Sequence, residues 1–264
     1  MTTTIPPKLY KYQSLVTGSY TLENLRAGKM WFSQPYLLND PFDCSIPFTL
    51  DGTDEEYQEL FEELNSMLPE PKLDKIREFE SSFLTNDKID SAFINYVKEA
   101  QLRENKNKII DTVGEIGVAC FSARLDSILM WSHYADRHIG LCLEFDTNYP
   151  PFSDPEKLHR LIYSNSYPRL LLIATFQSSN MPFDPLVTKS KDWEYEEEWR
   201  FITDKGNWLL EYEPKALTAI YFGCLMPIAQ RKQGAAMPAR SAARLHCMER
   251  SETMFQLEPA PYHG

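Results

Sequence analysis

Residues 193–200 read Trp193-Glu194-Tyr195-Glu196-Glu197-Glu198-Trp199-Arg200. Aromatic and charged side chains alternate almost strictly through this stretch, and in a β-strand successive side chains point to opposite faces. The spacing predicts a strand that continues to Ile202, with Trp193, Tyr195, Glu197 and Trp199 on one face. Glu194, Glu196, Glu198 and Arg200 fall on the other. Trp193 and Trp199 are expected in the core. Carboxylates in a row raise one another's pKa and resist burial unless a cation, metal or substrate relieves them. That face is a candidate site, with Glu198 and Glu196 as candidate catalytic acids. Arg200 supplies the competing reading, because a guanidinium paired with Glu198 along the same face would make the row structural.

Strand-like runs surround this segment. On the N-terminal side are Leu9 to Ser14 and Lys29 to Ser33, separated by a short helix, Tyr20 to Ala27, with Ser19 or Thr21 as cap and Gly28 as stop. Later strands are Val118 to Phe121, Gly140 to Phe145, Leu161 to Tyr163 and Leu217 to Phe222, with Arg244 to Met248 and Met254 to Leu257 near the end. A short helix, Ser127 to Ala135, is capped by Asp126 or Ser127. Between about 51 and 112 the character changes: Tyr57, Leu60, Phe61, Leu64 and Met67 recur at helical spacing, as do Ile89, Phe93, Ile94, Val97 and Ala100. That block is expected to be a helical insertion in a single domain spanning residues 1–264. Residues 147–190 hold six prolines and little periodicity, so an irregular lid or binding loop is expected there.

Composition narrows the classes. The chain has 264 residues, 43% of them hydrophobic and 13% aromatic, enough for a sizeable core. A net charge of −11 argues against broad electrostatic binding of nucleic acid, leaving such a substrate only a small local basic pocket. No apolar run approaches the about 20 residues of a membrane span, and no charged-then-apolar leader opens the chain, so a cytoplasmic protein without membrane partners is expected. Cys44, Cys120, Cys142, Cys224 and Cys247 are odd in number and scattered, which reads as buried free thiols.

Other candidate residues lie at strand ends and on the second helix. Trp31-Phe32-Ser33 and Ala119-Cys120-Phe121-Ser122 both finish in Phe-Ser before a loop. A hydroxyl free of the ladder at such a place can bond a ribose hydroxyl or brace a catalytic acid, so Ser33 and Ser122 are candidate binding residues. His133 is a packed residue or a substrate contact; it is not half of a nucleophilic Ser132–His133 pair, since adjacent helical side chains diverge by about 100°. His133 and His138 lack further ligands at zinc spacing, so no metal site is assigned. Lys11, Tyr12, Lys189 and Lys191 could approach the acidic face or remain solvated. No phosphate loop and no Gly-x-Gly-x-x-Gly is present.

The chain resembles a bacterial family known as a domain of unknown function, DUF2971. The matching stretches are Leu9-Tyr10-Lys11-Tyr12, Thr21 to Leu25, Trp31-Phe32-Ser33 with Asn39-Asp40-Pro41-Phe42-Asp43, Cys120-Phe121-Ser122, Met130 to Ala135, Gly140 to Phe145 and Trp193 to Arg200. A weaker resemblance, carried by the order strand, helix ending at Gly28, strand ending at Ser33 and later Glu-x-Glu, is to ADP-ribosyltransferases. It implies an α+β fold with a mixed, largely antiparallel β core. It also implies NAD as substrate, with Glu198 as the acid that bonds the ribose and stabilises charge as nicotinamide leaves, and Glu196 positioning the acceptor. Tyr12 or Lys11 stands where those enzymes carry His or Arg on the first strand, with Ser33, Ser122 and His133 around the ligand. On that reading the chain is a toxin or phage-defence effector that modifies a protein or nucleic acid and has an antitoxin partner.

Two rival expectations come from other classes. One is an Mg²⁺-dependent nuclease using Asp40, Asp43, Glu196 and Glu198 as oxygen ligands. The other is a non-catalytic binding module, in which Trp131, Trp193 and Trp199 are core and the acids bridge to arginines.

Overall fold

A computed structural model describes residues 4–15, 20–45, 48–49, 84–85, 88–89, 113–168, 170–171, 184–236 and 242–264. The chain divides into two units. The first comprises Met1–Cys44, Gly114–Ser166 and Leu186–Gly264, and the second comprises Ser45–Val113 and Tyr167–Pro185. In the second unit, Phe48–Thr49 pairs in parallel with Leu170–Leu171, and Leu84–Thr85 pairs antiparallel with Lys88–Ile89. The rest of the expected helical insertion lies outside the described residues. Ile89, read above as the start of a helical stripe, is in the second of these pairs.

The first unit is built on an eight-stranded sheet. Its strands are β1 (Lys8–Gln13), β3 (Gly117–Ser122), β4 (Leu141–Asp146), β5 (Leu158–Arg160), β8 (Glu198–Thr203), β10 (Leu217–Phe222), β11 (Arg244–Arg250) and β12 (Leu257–Pro261). Their order is β12-β11-β10-β4-β1-β3-β8-β5, and every neighbouring pair is antiparallel except β10 with β11. Two small pairs lie apart from it: β2 (Lys29–Phe32) antiparallel to β9 (Trp208–Glu211), and β6 (Ile162–Ser164) parallel to β7 (Thr188–Ser190). The fold is therefore α+β with a mixed, largely antiparallel sheet.

Alternation along the strands sorts two cores. Leu9, Phe121, Phe145, Trp199 and Phe201 lie in one cluster, together with Leu25 of helix α1 (Thr21–Ala27) and Met30 and Phe32 of β2. Tyr12, Cys142, Ala219, Tyr221 and Met248 lie in the other, covered by Met130 and Trp131 of helix α2 (Ile128–Tyr134). Trp131 is fully buried, and its indole N–H donates to the Leu125 carbonyl at 2.8 Å.

The helix ends follow local chemistry. Gly28 closes α1 with φ 63°, a left-handed conformation that glycine adopts without a steric cost. Ser127 caps α2 by accepting the Met130 N–H. The cap expected of Ser19 or Thr21 is not the one used. Tyr20 is the N-cap without a side-chain bond, Thr21 donates instead to the Ser14 carbonyl at 3.0 Å, and Ser19 lies outside the described residues.

The sheet is not continuous across its middle. All of β1 pairs with β4, but only Tyr10 pairs with β3, opposite Ser122. The other end of β3 instead meets the chain after β2, through a bridge between Ser33 and Val118. Lys11 closes part of the resulting seam: its ammonium donates to the Cys120 carbonyl at 3.1 Å and stands 5.2 Å from the Phe121 ring centre.

Gly140, at the turn from α2 into β4, packs where no side chain fits, since a Cβ there would overlap the Gln13 carbonyl oxygen and the Ala135 backbone. We expect Gly140→Ala to destabilise the chain by about 1–3 kcal/mol through this overlap. A urea midpoint unchanged by the substitution would contradict that packing.

Candidate active site

The alternating stretch does not form one strand. Residues Lys191–Glu196 form a 3-10 helix, Glu197 adopts φ 44° and ψ 51°, and β8 begins only at Glu198. A left-handed residue other than glycine is disfavoured, and this one turns the chain from helix into strand. The expectation of Trp193 in the core is corrected accordingly: it is half-buried, whereas Trp199 is buried as expected. Glu194, assigned above to the acidic face, is exposed. Glu196 and Glu198 still come together, but through the end of the 3-10 helix and the left-handed turn.

A buried ionic cluster results. Lys189 of β7 places its ammonium 2.5 Å from Glu196 Oε2, 2.8 Å from Glu198 Oε2 and 3.7 Å from Asp43 Oδ2. Arg200, two residues along β8 from Glu198 and on the same face, donates Nε to Glu198 Oε1 at 2.7 Å and Nη2 to Asp43 Oδ2 at 2.6 Å. Its Nη1 donates to the Leu186 carbonyl at 2.8 Å and to Cys44 Sγ at 3.1 Å. Tyr134 of α2 donates its hydroxyl to Glu196 Oε1 at 2.7 Å. Asp43, Lys189, Glu196, Glu198 and Arg200 are all buried.

The two glutamates differ in protonation. Burial alone would raise both. For Glu198, the charges of Arg200 and Lys189 outweigh burial and bring the carboxyl down to about 2. For Glu196, burial prevails together with the nearby Glu198 charge, against the pull of Lys189, and pushes it up to about 7. Lys189 would be lowered by burial, but Glu198, Glu196 and Asp43 raise it above its ordinary value. Glu198 is thus biased toward the anion and Glu196 toward the protonated form.

These acids line a cavity of about 470 Å³. Lys11, Tyr12, Ser33, Ser122, His133, Glu196 and Glu198, the residues implied by the resemblance to ADP-ribosyltransferases, all line it, whereas Asp40 and Lys191 do not. Its wall includes Phe121, Leu143 and Phe145 from one face of the sheet and Tyr10, Tyr12 and Met130 from the other, so it occupies the β1/β3 seam. Some of the seven are already engaged. Tyr12 donates its hydroxyl to the Arg124 carbonyl at 2.7 Å. Ser122, fully buried, donates to the Glu196 carbonyl at 2.6 Å and accepts the Arg124 N–H at 3.0 Å, so it braces the acid's backbone. Ser33 pairs through its backbone with Val118. His133 is exposed. Burial lowers the Lys11 ammonium from its ordinary pKa, with Cys120 and Glu198 pulling the other way.

The acids proposed as magnesium ligands do not gather around an open centre. Asp40 accepts the Trp193 indole N–H at 2.8 Å and the Phe42 N–H at 2.9 Å, while Asp43, Glu196 and Glu198 converge on Lys189. Among the described residues no group of three or more His, Cys, Asp or Glu side chains is arranged to hold a metal ion. Arg200 does pair with Glu198, as the structural reading of the acidic row required, yet Glu198 also lines the cavity. Sequence reasoning left Lys189 as a cation that could approach the acidic face or stay solvated, and gave Tyr134 no role in the site. The one available signal was that a buried carboxylate pair needs a cation from elsewhere in the chain.

Residues 130–201 match the model of a family described as "Protein of unknown function (DUF2971)". The match contains Tyr134, Lys189, Glu196, Glu198 and Arg200, so most of the ionic cluster lies inside the matched segment. Asp43, Lys11, Tyr12, Ser33 and Ser122 lie outside it. No curated protein and no solved structure matches the chain. No helix among the described residues is long and apolar enough to cross a membrane.

Lys189 bridges Glu196 and Glu198. Replacing it with methionine strips a buried pair of its cation, and Lys189→Met is expected to cost about 3–5 kcal/mol in urea denaturation. The double variant Lys189→Met with Glu196→Gln should recover part of that loss. A Lys189→Met chain as stable as the parent would show that the cluster is solvated.

Proposed function

We propose that this chain is an ADP-ribosyltransferase-like enzyme that takes NAD as substrate in the β1/β3 cavity. The observation that carries the reading is the placement of two carboxyls on one cavity wall with different partners, Glu198 bonded by Arg200 and Lys189 and Glu196 by Lys189 and Tyr134. A general base works best with a pKa near the working pH, whereas an electrostatic stabiliser must stay charged. Glu196 suits the first task and Glu198 the second.

In the transfer, the bond between nicotinamide nitrogen and ribose C1′ breaks and its electron pair leaves with nicotinamide. Glu198, held anionic by Arg200 and Lys189, opposes the positive charge that develops on the ribose. The acceptor's lone pair forms the new bond at C1′, and the acceptor's proton passes to Glu196. Lys189 and Tyr134 hold the Glu196 carboxyl in place for that step. The cavity volume falls in the range of about 300–1,000 Å³ usual for small-molecule sites. A toxin or phage-defence role, with an antitoxin as partner, is the biological setting this chemistry suits.

The test is release of nicotinamide from NAD by the full chain. Glu198→Gln is expected to lower turnover by roughly 10²–10³-fold. Glu196→Gln should lower it too and remove the dependence on a group titrating near neutrality, with folding checked by circular dichroism. Nicotinamide release equal in the parent and both variants, or absent from the parent, would end the proposal.

A further inference from the structure

Three aromatic rings from two elements meet beside Glu196. His133 comes from α2, one residue before Tyr134, and Trp193 and Tyr195 come from the 3-10 helix that ends in Glu196. Their ring centres are 6.2 Å (His133–Trp193), 6.0 Å (Trp193–Tyr195) and 6.5 Å (His133–Tyr195) apart. Core aromatics of this unit are enclosed by other apolar side chains. Here His133 is exposed, Trp193 and Tyr195 are half-buried, and Trp193 belongs to neither hydrophobic cluster among the described residues.

Trp193 is nevertheless fixed. Its indole N–H is bonded to Asp40 Oδ2 at 2.8 Å, and the Lys189 ammonium stands 5.2 Å from its ring centre. Its ring neighbours meet it at 73° and 45° and do not lie flat on it, so neither covers its face as a stacked ring would. His133 and Tyr195, tilted by 36° at 6.5 Å, do not lie flat on one another. A fixed, partly exposed aromatic on which none of these rings lies flat suits another π-system, and a flat ring loses little conformational freedom on binding. His133 also lines the cavity that holds the two acids.

We propose that His133, Trp193 and Tyr195 form a subsite for a planar nitrogen heteroaromatic ring of the substrate, held beside the Glu196 carboxyl. The inference rests on the reading of the cavity as a nucleotide site, and it adds which residues receive the ring. Nicotinamide and adenine share the required chemistry, and the experiment separates them.

The full chain is titrated separately with nicotinamide, adenosine and ribose 5-phosphate while tryptophan fluorescence is followed. One of the two rings should quench saturably, and ribose 5-phosphate should not. Trp193→Phe should remove most of the quench. His133→Ala, a change at an exposed position, should raise the ring's Kd roughly tenfold with the fold intact. The proposal is overturned if neither ring quenches, if ribose 5-phosphate quenches as strongly, or if His133→Ala leaves Kd unchanged. The outcomes remain separable from those of the enzymatic reading. Ring binding without nicotinamide release removes only the enzyme, and turnover with KM unchanged in His133→Ala and Trp193→Phe removes only the subsite.

Discussion

Arg200 is a guanidinium with no exposure to solvent, and a buried guanidinium must find acceptors for its N–H groups inside the protein. It finds them in three separate stretches of chain: Asp43 and Cys44 after β2, the Leu186 carbonyl before β7, and Glu198 at the start of its own strand. Those bonds fix the loop that carries Asp40 and Asp43 against β8. They also hold Glu198 as an anion. Lys189 can then be buried between Glu198 and Glu196, because its desolvation is offset by charges that Arg200 keeps in place. Without the guanidinium, Asp43, Glu196 and Glu198 would be left to share the Lys189 ammonium.

The second constraint is the seam between β1 and β3. A sheet whose strands paired along their full length would leave no room between its faces. Here a single Tyr10–Ser122 pair joins the two strands, and Lys11 satisfies a carbonyl that a continuous ladder would have used. The cavity occupies that gap and brings residues from both faces within reach of the ionic cluster. The structural charges and the chemical site are thus one feature. The same arginine that makes Glu198 architectural also keeps it charged on a cavity wall.

Much of the frame could be read from local signals. Leu217 to Phe222 is a strand with the bounds expected, and Gly28 and Ser127 end and begin their helices because left-handed geometry and side-chain capping are local matters. The stretch that seemed most decisive was read wrongly in its first half. Aromatic–acid alternation from Trp193 to Glu197 imitates a strand, while the conformation adopted there is set by Glu196 reaching Lys189 and Tyr134 and by Asp40 binding Trp193. The contacts of Tyr134 and Asp40 join residues distant in sequence and leave no periodic trace. The seam was hidden for the same reason, since a strand's pattern names its faces but not its partners. The candidate residues converged on one cavity even so, because Phe-Ser strand ends and a Glu-x-Glu pair reflect placement at the margins of a sheet.

Glu196 and Glu198 are expected to occupy different protonation states, with Glu198 held as an anion by Arg200 and Glu196 carrying the exchangeable proton. Carbon-13 NMR of the glutamate side-chain carboxyls, followed from pH 4 to pH 9, measures this directly. The account predicts one glutamate titrating at about 7 that disappears in Glu196→Gln, and a second, assigned through Glu198→Gln, that stays ionised throughout. Glu196 titrating with the exposed glutamates, or Glu198 being the one that takes up a proton near neutrality, would contradict it.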